Sequence, residues 1–295
     1  MYNLIVMVKQ VPDTANISGK VMNDDGTVNR SALPAIFNPE DKEALEFALK
    51  IKDNYDAKIT VITMGPQRAT DVLKECLFMG ADEAVLISDR KFAGSDTLAT
   101  SYVISEAIKK LGEFDIVFAG RQAIDGDTAQ VGPQTAEKLG MPQITYAEDI
   151  LNLKENEITV KKKIEGGFEI LKAKLPLLIT VLKDATQPRP YSAKKMLAKK
   201  NSKSVIDLEK INDNYSGISL EDLIEKYSAK GQFIKTLTMK ELQLDESRLG
   251  LRGSPTKVHK IESVVLSGGE SIKIEPTKEG LAKLIDELMH DHILG

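Results

Sequence analysis

Few side chains in this sequence are suited to chemistry, and those few are poorly placed for it. The chain has three histidines, His259, His290 and His292, and one cysteine, Cys76. His290 and His292 are two apart, so on a helix they point in different directions and make a poor metal pair. Cys76 lies between Leu73 and Leu77 in a helical pattern, where a small buried core residue is the expected role rather than a nucleophile. A lone cysteine also leaves no internal disulfide and no cysteine-based zinc or iron–sulfur site. Acid–base and covalent catalysis by the chain are therefore disfavoured. Redox or group-transfer chemistry would have to be carried by a cofactor.

One segment could hold such a cofactor. Gly120-Arg121-Gln122-Ala123-Ile124-Asp125-Gly126-Asp127-Thr128-Ala129-Gln130-Val131-Gly132-Pro133-Gln134 combines three kinds of group. Its glycines let backbone approach a ligand, its hydroxyl and amide groups can donate at a helix N-terminus, and its aspartates can accept from ribose hydroxyls. A second reading makes it a solvated loop in which Asp127 only caps a helix. No G-x-x-x-x-G-K-[ST] and no G-x-G-x-x-G after the first strand is present, so any nucleotide is held differently from the common phosphate-binding motifs.

The elements that must position this loop follow from periodicity. Continuous apolar runs at Leu4–Val11, Ile59–Met64, Glu83–Ile87, Asp115–Ala119 and Gln143–Tyr146 alternate with amphipathic segments, the pattern of parallel strands covered on both faces. Helices are expected after Asn38-Pro39-Glu40-Asp41, after Gly65-Pro66 up to Met79-Gly80, from Ser95-Asp96-Thr97 to Gly112, and from near Asp127-Thr128 to Gly140. Asp24-Asp25-Gly26-Thr27 within Val21–Val28 carries a hairpin signal. Beyond residue 147 the pattern changes. Ile158–Ile164, Gly166-Gly167 and Phe168–Leu171 read as an antiparallel hairpin, and Leu175–Leu182 as a returning apolar strand. The fold class expected is α/β, a parallel-sheet domain with an antiparallel hairpin addition and a C-terminal arm. Residues 1–190 are read as that domain and residues 191–295 as an extended arm that packs on something else.

The chain has 295 residues, 42% of them hydrophobic, with no Trp and only 5% aromatic residues, so its core must be aliphatic. Its net charge is −4. Residues 151–210 carry 14 Lys and Arg against 7 Asp and Glu, leaving the remainder at −11. An acidic chain with few aromatics argues against nucleic acid as a partner, and a basic docking surface for an acidic protein is preferred. No apolar run reaches membrane-spanning length and no basic leader precedes Leu4–Val8, so the expectation is a cytoplasmic protein without membrane partners.

The loop, with Thr135-Ala136-Glu137-Lys138-Leu139-Gly140-Met141-Pro142-Gln143 after it, closely resembles the signature of the beta subunit of electron transfer flavoproteins. Val8-Lys9-Gln10-Val11-Pro12-Asp13-Thr14, Asn38-Pro39-Glu40-Asp41, Met79-Gly80-Ala81-Asp82, Gly94-Ser95-Asp96-Thr97, Glu165-Gly166-Gly167 and Gln187-Pro188-Arg189 appear in that family's order. The resemblance implies that residues 1–190 are a Rossmann-like adenine-nucleotide-binding domain holding either FAD or AMP, and that the chain forms a heterodimer with an alpha subunit that carries its own FAD, the arm of residues 191–295 packing on that partner subunit. It implies that Met7 and Lys9 flank the nucleotide, that Asn38 and Asp41 meet its adenosine end, and that Met64 lines the base. Arg121, Gln122, Asp125, Gly126, Asp127, Thr128, Gln130, Val131, Gly132 and Pro133 would wrap phosphates and ribose. Lys183–Arg189 resembles the loop by which the family docks on partner dehydrogenases.

Two features favour FAD over AMP. Gly94, Asp96 and Thr97 place small and hydroxyl groups at a helix N-terminus, suited to a pyrophosphate or flavin edge. Gly250–Val258 resembles a segment typical of the electron-bifurcating members. Resemblance to that group implies a subunit that takes hydride from NAD(H) and divides the electrons between a low-potential acceptor, ferredoxin or flavodoxin, and a flavin dehydrogenase of acyl-CoA or 2-hydroxy-acid type. The alternative is a simple carrier with structural AMP serving acyl-CoA dehydrogenases.

Overall fold

The computed structural model describes residues 1–13, 33–214, 218–256 and 273–290. The expected hairpin at 21–28, together with Thr14, Lys257, Val258, His259 and His292, lies outside the described residues. The chain divides into a unit of residues 1–259 and a separate unit of residues 260–295.

In the first unit, β1 (Tyr2–Met7) is followed by a small antiparallel pair, β2 (Gln10–Pro12) and β3 (Ala35–Phe37), and then by α1 (Pro39–Asn54). Next come β4 (Ala57–Met64), α2 (Thr70–Met79), β5 (Glu83–Ile87), α3 (Thr97–Leu111), β6 (Ile116–Gly120) and α4 (Val131–Leu139). The hairpin region supplies β7 (Gln143–Lys154), β8 (Glu157–Ile164) and β9 (Gly167–Lys174), and β10 (Leu177–Val181) returns beside β6. After α5 (Ala193–Lys199), β11 (Lys203–Ser204), α6 (Val205–Asn214), α7 (Leu220–Ala229) and β12 (Phe233–Leu237) complete the sheet. Its strand order is β11-β12-β5-β4-β1-β6-β10-β7-β8-β9. The strands from β11 to β7 run parallel, and only β8 and β9 are antiparallel to their neighbours. The α/β class with an antiparallel hairpin addition is thus observed.

Alternate residues of each inner strand serve opposite faces. Leu4, Val6, Ile59 and Val61 pack with Leu45 and Leu49 of α1 and Leu73 and Cys76 of α2. Ile5, Met7 and Ile62 pack with Val103, Ile104 and Ile108 of α3 and Ala136 of α4. Each fully buried aliphatic side chain stabilises the fold by roughly 1.5–3 kcal/mol. Cys76 is wholly buried, and burial pushes its thiol pKa well up, so it belongs to the core as expected.

Three expectations are refined. The first strand, expected as Leu4–Val11, is broken where the Lys9 backbone N–H leaves the sheet to donate to Asp41 Oδ2. The strand expected to end at Tyr146 continues to Lys154 through a bulge and a left-handed Tyr146 (φ 59°). Residues 203–237, expected within a C-terminal arm, add β11 and β12 to the edge of the main sheet, with β12 pairing to β5. In the second unit the described element is α10 (Lys278–His290), which leaves Leu281, Ile285 and Met289 exposed at i, i+4, i+8 spacing.

Candidate functional site

The strand order reverses at β1. The chain proceeds from β1 outward to β4 and β5 on one side, then crosses to β6 on the other. In an open parallel sheet the crevice beyond the carboxyl ends at such a reversal is the natural ligand site. The N-terminus of α1 fills one wall of it. Asn38 and Pro39 start that helix as expected, but Asn38 makes no side-chain cap. Its Nδ2 donates to the Gln122 carbonyl (2.9 Å) and its Oδ1 accepts from Ile124 N (3.2 Å). Glu40 accepts from Arg121 Nη2 (2.9 Å), Arg121 Nε (3.3 Å) and Gln122 N (3.0 Å). Asp41 accepts from Lys9 N (2.8 Å) and Gly120 N (3.0 Å), joining the ends of β1 and β6. Lys9 Nζ donates to both oxygens of Asp125, at 2.8 and 2.9 Å.

Burial dominates at Asp41 and pushes its carboxyl up to about 7, against hydrogen bonds from Asn38, Gly120 and Lys9 that pull the other way. Between its unfolded value near 4 and this folded value, the folded chain holds a proton that the unfolded chain has released. Stability linked to Asp41 is therefore full below about pH 4 and is lost as pH rises through about 7. Asp41→Asn is expected to flatten that part of the profile, measured by urea unfolding at a series of pH values. An unchanged slope would remove Asp41 as its source.

A second cluster joins the N-termini of α3 and α4. Thr97 Oγ1 donates to Gln130 Oε1 (2.8 Å), and Ser101 Oγ donates to Gln134 Oε1 (3.2 Å). Between the clusters, the loop passes through two left-handed non-glycine residues, Asp127 (φ 48°) and Ala129 (φ 52°). Such backbone strain persists where surroundings impose it, commonly at functional sites. Asp127 is not a helix cap. Its Oδ1 accepts from Gln122 Nε2 (2.7 Å), and α4 begins three residues after Thr128, at Val131, with Gln130 before it.

The α3 end is closed by the tail. Asp96 Oδ1 caps α3 through Leu98 N and Ala99 N, both at 3.0 Å, while Oδ2 accepts from Thr256 N (3.0 Å) and Thr256 Oγ1 (2.7 Å). Asp96 N donates to Ser254 Oγ (2.8 Å). Burial alone would raise the Asp96 carboxyl, but hydrogen bonds from Ala99, Thr256 and Leu98 outweigh it and hold it below its ordinary value. Gly94, at φ 75°, lies against Leu251, where a Cβ would sit 2.5 Å from Leu251 Cγ.

Comparison with known families matches residues 25–210 to the electron transfer flavoprotein domain. The chain is 42% identical to the electron transfer flavoprotein subunit beta of Clostridium acetobutylicum, over 99% of this chain and 100% of that one. The chain belongs to the electron transfer flavoprotein family, as a beta subunit. It is also 43% identical to the acryloyl-CoA reductase electron transfer subunit gamma of Anaerotignum propionicum, over 99% of both chains. To the caffeyl-CoA reductase-Etf complex subunit CarD of Acetobacterium woodii it is 39% identical, again over 99% of both.

In this beta-subunit chain, then, the residues singled out in the sequence fall into five groups. Lys9, Asn38, Asp41, Arg121, Gln122 and Asp125 converge at the β1–β6 crevice, while Thr97 and Gln130 meet between α3 and α4. Met64 is half-buried and lines a cleft with Lys9, Val11, Leu33 and Arg68. Met7 is buried in the core, Gly132 is closed against Thr180, and Val131 and Pro133 open α4 half-buried. Gly126, Asp127 and Thr128 are exposed at the loop tip. Sequence reasoning included Gln134 in the candidate loop and Ser254 and Thr256 in the Gly250–Val258 segment without finding their partners, and it missed the role of Glu40. Glu40 had been readable only as a first-turn acid suited to the helix dipole. Among the described residues no helix is long and apolar enough to cross a membrane.

Proposed function

We propose that this chain is the FAD-binding beta subunit of an electron-bifurcating electron transfer flavoprotein, paired with an alpha subunit that carries a second FAD. It serves NADH as electron donor, ferredoxin or flavodoxin as low-potential acceptor, and a flavin dehydrogenase of acyl-CoA or 2-hydroxy-acid type as the other partner. FAD, when bound, supplies the redox chemistry, taking hydride from NADH and releasing electrons singly.

The observation that carries this reading is the span of polar groups over the carboxyl ends of neighbouring strands. They run from Gly94–Thr97 after β5, past Met64 at the end of β4, through Lys9 after β1, to Arg121–Gln130 after β6. Four adjacent strand ends cover about 14 Å at the usual interstrand spacing, which suits a dinucleotide better than a mononucleotide. The donor set also fits. Lys9, Thr97, Gln130 and the N-terminus of α4 can meet phosphates, and Asp125 and Asp127 can accept from ribose hydroxyls. Arg121 is steadied by Glu40, which raises its pKa further. The names of the acryloyl-CoA and caffeyl-CoA reductase relatives support a reductase partner. The segment Lys183–Arg189, which opens the basic stretch Lys183–Ser204, is read as the partner-docking segment, and the apolar stripe of α10 as arm surface covered by the alpha subunit.

Cofactor extraction from the purified heterodimer tests the proposal. Two FAD per heterodimer with NADH-dependent flavin reduction is the expected result; one FAD plus one AMP, without reaction with NADH, is the carrier's signature and overturns it. The same assay on Gly126→Asp tests the loop. A Cβ there meets nothing within 4 Å, so the fold tolerates it, yet cofactor content should fall at least about tenfold if this loop meets the phosphates. Unchanged content would take the loop out of the site.

A further inference from the structure

We propose that Glu43 and Glu46 of α1 are positioning residues for partner docking, holding the docking segment at a fixed place relative to the cofactor loop. The proposal rests on the reading of Lys183–Arg189 as the docking segment. Glu40, Glu43 and Glu46 recur every third residue and share one side of α1. They are only 1%, 6% and 4% exposed, and carboxylates are almost never that buried unless matched by specific partners. Each of the three has a different client. Glu40 holds Arg121 and Gln122 of the cofactor loop. Glu43 Oε1 accepts from Asp184 N (3.1 Å) and Oε2 from Thr186 N (3.2 Å). Glu46 accepts from Arg189 N (3.0 Å), Nε (2.9 Å) and Nη2 (2.9 Å).

The Glu43 contacts are to main-chain groups, so what that carboxylate fixes is the path of the chain and not one side chain. That path needs fixing. Asp184 is held at φ 63°, a left-handed conformation uncommon for a residue other than glycine. Lys50 Nζ adds a bond to Thr186 Oγ1 (2.6 Å), and Lys42 Nζ donates to Tyr191 OH (3.4 Å). One helix therefore grips the segment at residues 184, 186, 189 and 191, immediately before α5. Beyond those grips, Lys183, Lys194, Lys200 and Leu197 are exposed, so this stretch offers positive charge and an apolar side chain to a partner. A surface ordered in advance loses less conformational entropy on association, and its positive charge selects an acidic partner face. Because the cofactor loop hangs on the same row of acids, the distance between cofactor and partner is set by the rigid helix.

Glu43→Gln in the intact heterodimer keeps size and one acceptor but turns an N–H₂ toward a backbone N–H. Hydrogen exchange at Asp184 and Thr186 is expected to speed up at least about tenfold. With an acyl-CoA-type flavin dehydrogenase as the varied partner, KM should rise about tenfold while kcat and extracted cofactor stay within about twofold. Lost protection with unchanged KM, or a fall in kcat alone, overturns the proposal. So does rapid exchange of those two amides in the unsubstituted heterodimer, a measurement that needs no variant. Lys183→Glu with Lys194→Glu separates the two layers. If that pair also leaves KM unchanged, the docking reading itself has failed; if it raises KM and Glu43→Gln does not, only the positioning role has.

Discussion

Gly120→Ala is expected to destabilise the full-length chain by about 3 kcal/mol or more, at the upper end of overpacking costs. Gly120 ends β6 where the first turn of α1 crosses it. A Cβ there would lie 2.5 Å from Asp41 Oδ1, 2.7 Å from Asp41 N and 2.7 Å from the Glu40 carbonyl carbon. Two of those atoms are helix backbone, so no side chain can swing aside to relieve the contact. The helix end would have to retreat from the sheet, breaking the Gly120 N–H bond to Asp41 and shifting Glu40 from Arg121. A buried donor or acceptor left without a partner adds about 1–3 kcal/mol each. Urea unfolding of Gly120→Ala beside Gly126→Ala measures this, the second glycine having open space around it and an expected cost below about 1 kcal/mol. Equal losses at both positions would show that close approach is not what Gly120 provides.

The inner half of the fold was legible because both faces of each strand are covered. Ile59–Met64 and Glu83–Ile87 read as continuous apolar runs, and the structure adds only two residues to the first of them. Asp96 was readable as a cap since it precedes Thr97 at the start of an amphipathic run. Legibility failed where an element is defined by a distant partner. Phe233-Ile-Lys-Thr-Leu is too short and too mixed to announce a strand, yet between β5 and β11 its backbone groups are paired on both sides and Lys235 faces outward. The switch from β1 to β2 inside one apolar run is invisible for the same reason, because alternation shows burial but not which strand is the neighbour.

The site divides in the same way. That residues 120–134 form a special loop could be read from its glycines, hydroxyls and acids. That Asp127 and Ala129 take left-handed backbone could not, since neither is glycine. The acids of α1 were visible as letters but not as clamps. Their partners are 81 to 143 residues away, and a Glu at the start of a helix is adequately explained by the dipole until those partners are seen. The carboxylate of Asp96, a residue expected near a cofactor, ties Thr256 to the α3 cap. The segment 249–256 is thereby tied to the N-terminal end of α3.

The second large effect is expected at the far end of this acid row. Arg189→Met should cost about 3 kcal/mol, because removing one partner of a buried ion pair leaves the other charge without compensation. Glu46 is 4% exposed and is held by the Arg189 guanidinium through both Nε and Nη2; only the bond from Arg189 N would survive. The guanidinium is pushed to a higher pKa first by Glu46 and then by Asp53, so it stays charged at any working pH. Asp53 is mostly exposed and contributes little, although Arg189 holds its carboxyl below the ordinary value. The decisive comparison is the double variant Glu46→Leu with Arg189→Met. Replacing both charges by apolar groups of similar size is often neutral, so urea unfolding should show most of the lost stability restored, with a coupling energy of about 2 kcal/mol. Additive losses would mean that the pair is not a unit. Recovered stability would not preserve partner docking, because a leucine side chain in place of Glu46 offers no acceptor to the backbone N–H of residue 189: the double variant should fold like the parent and show a raised partner KM.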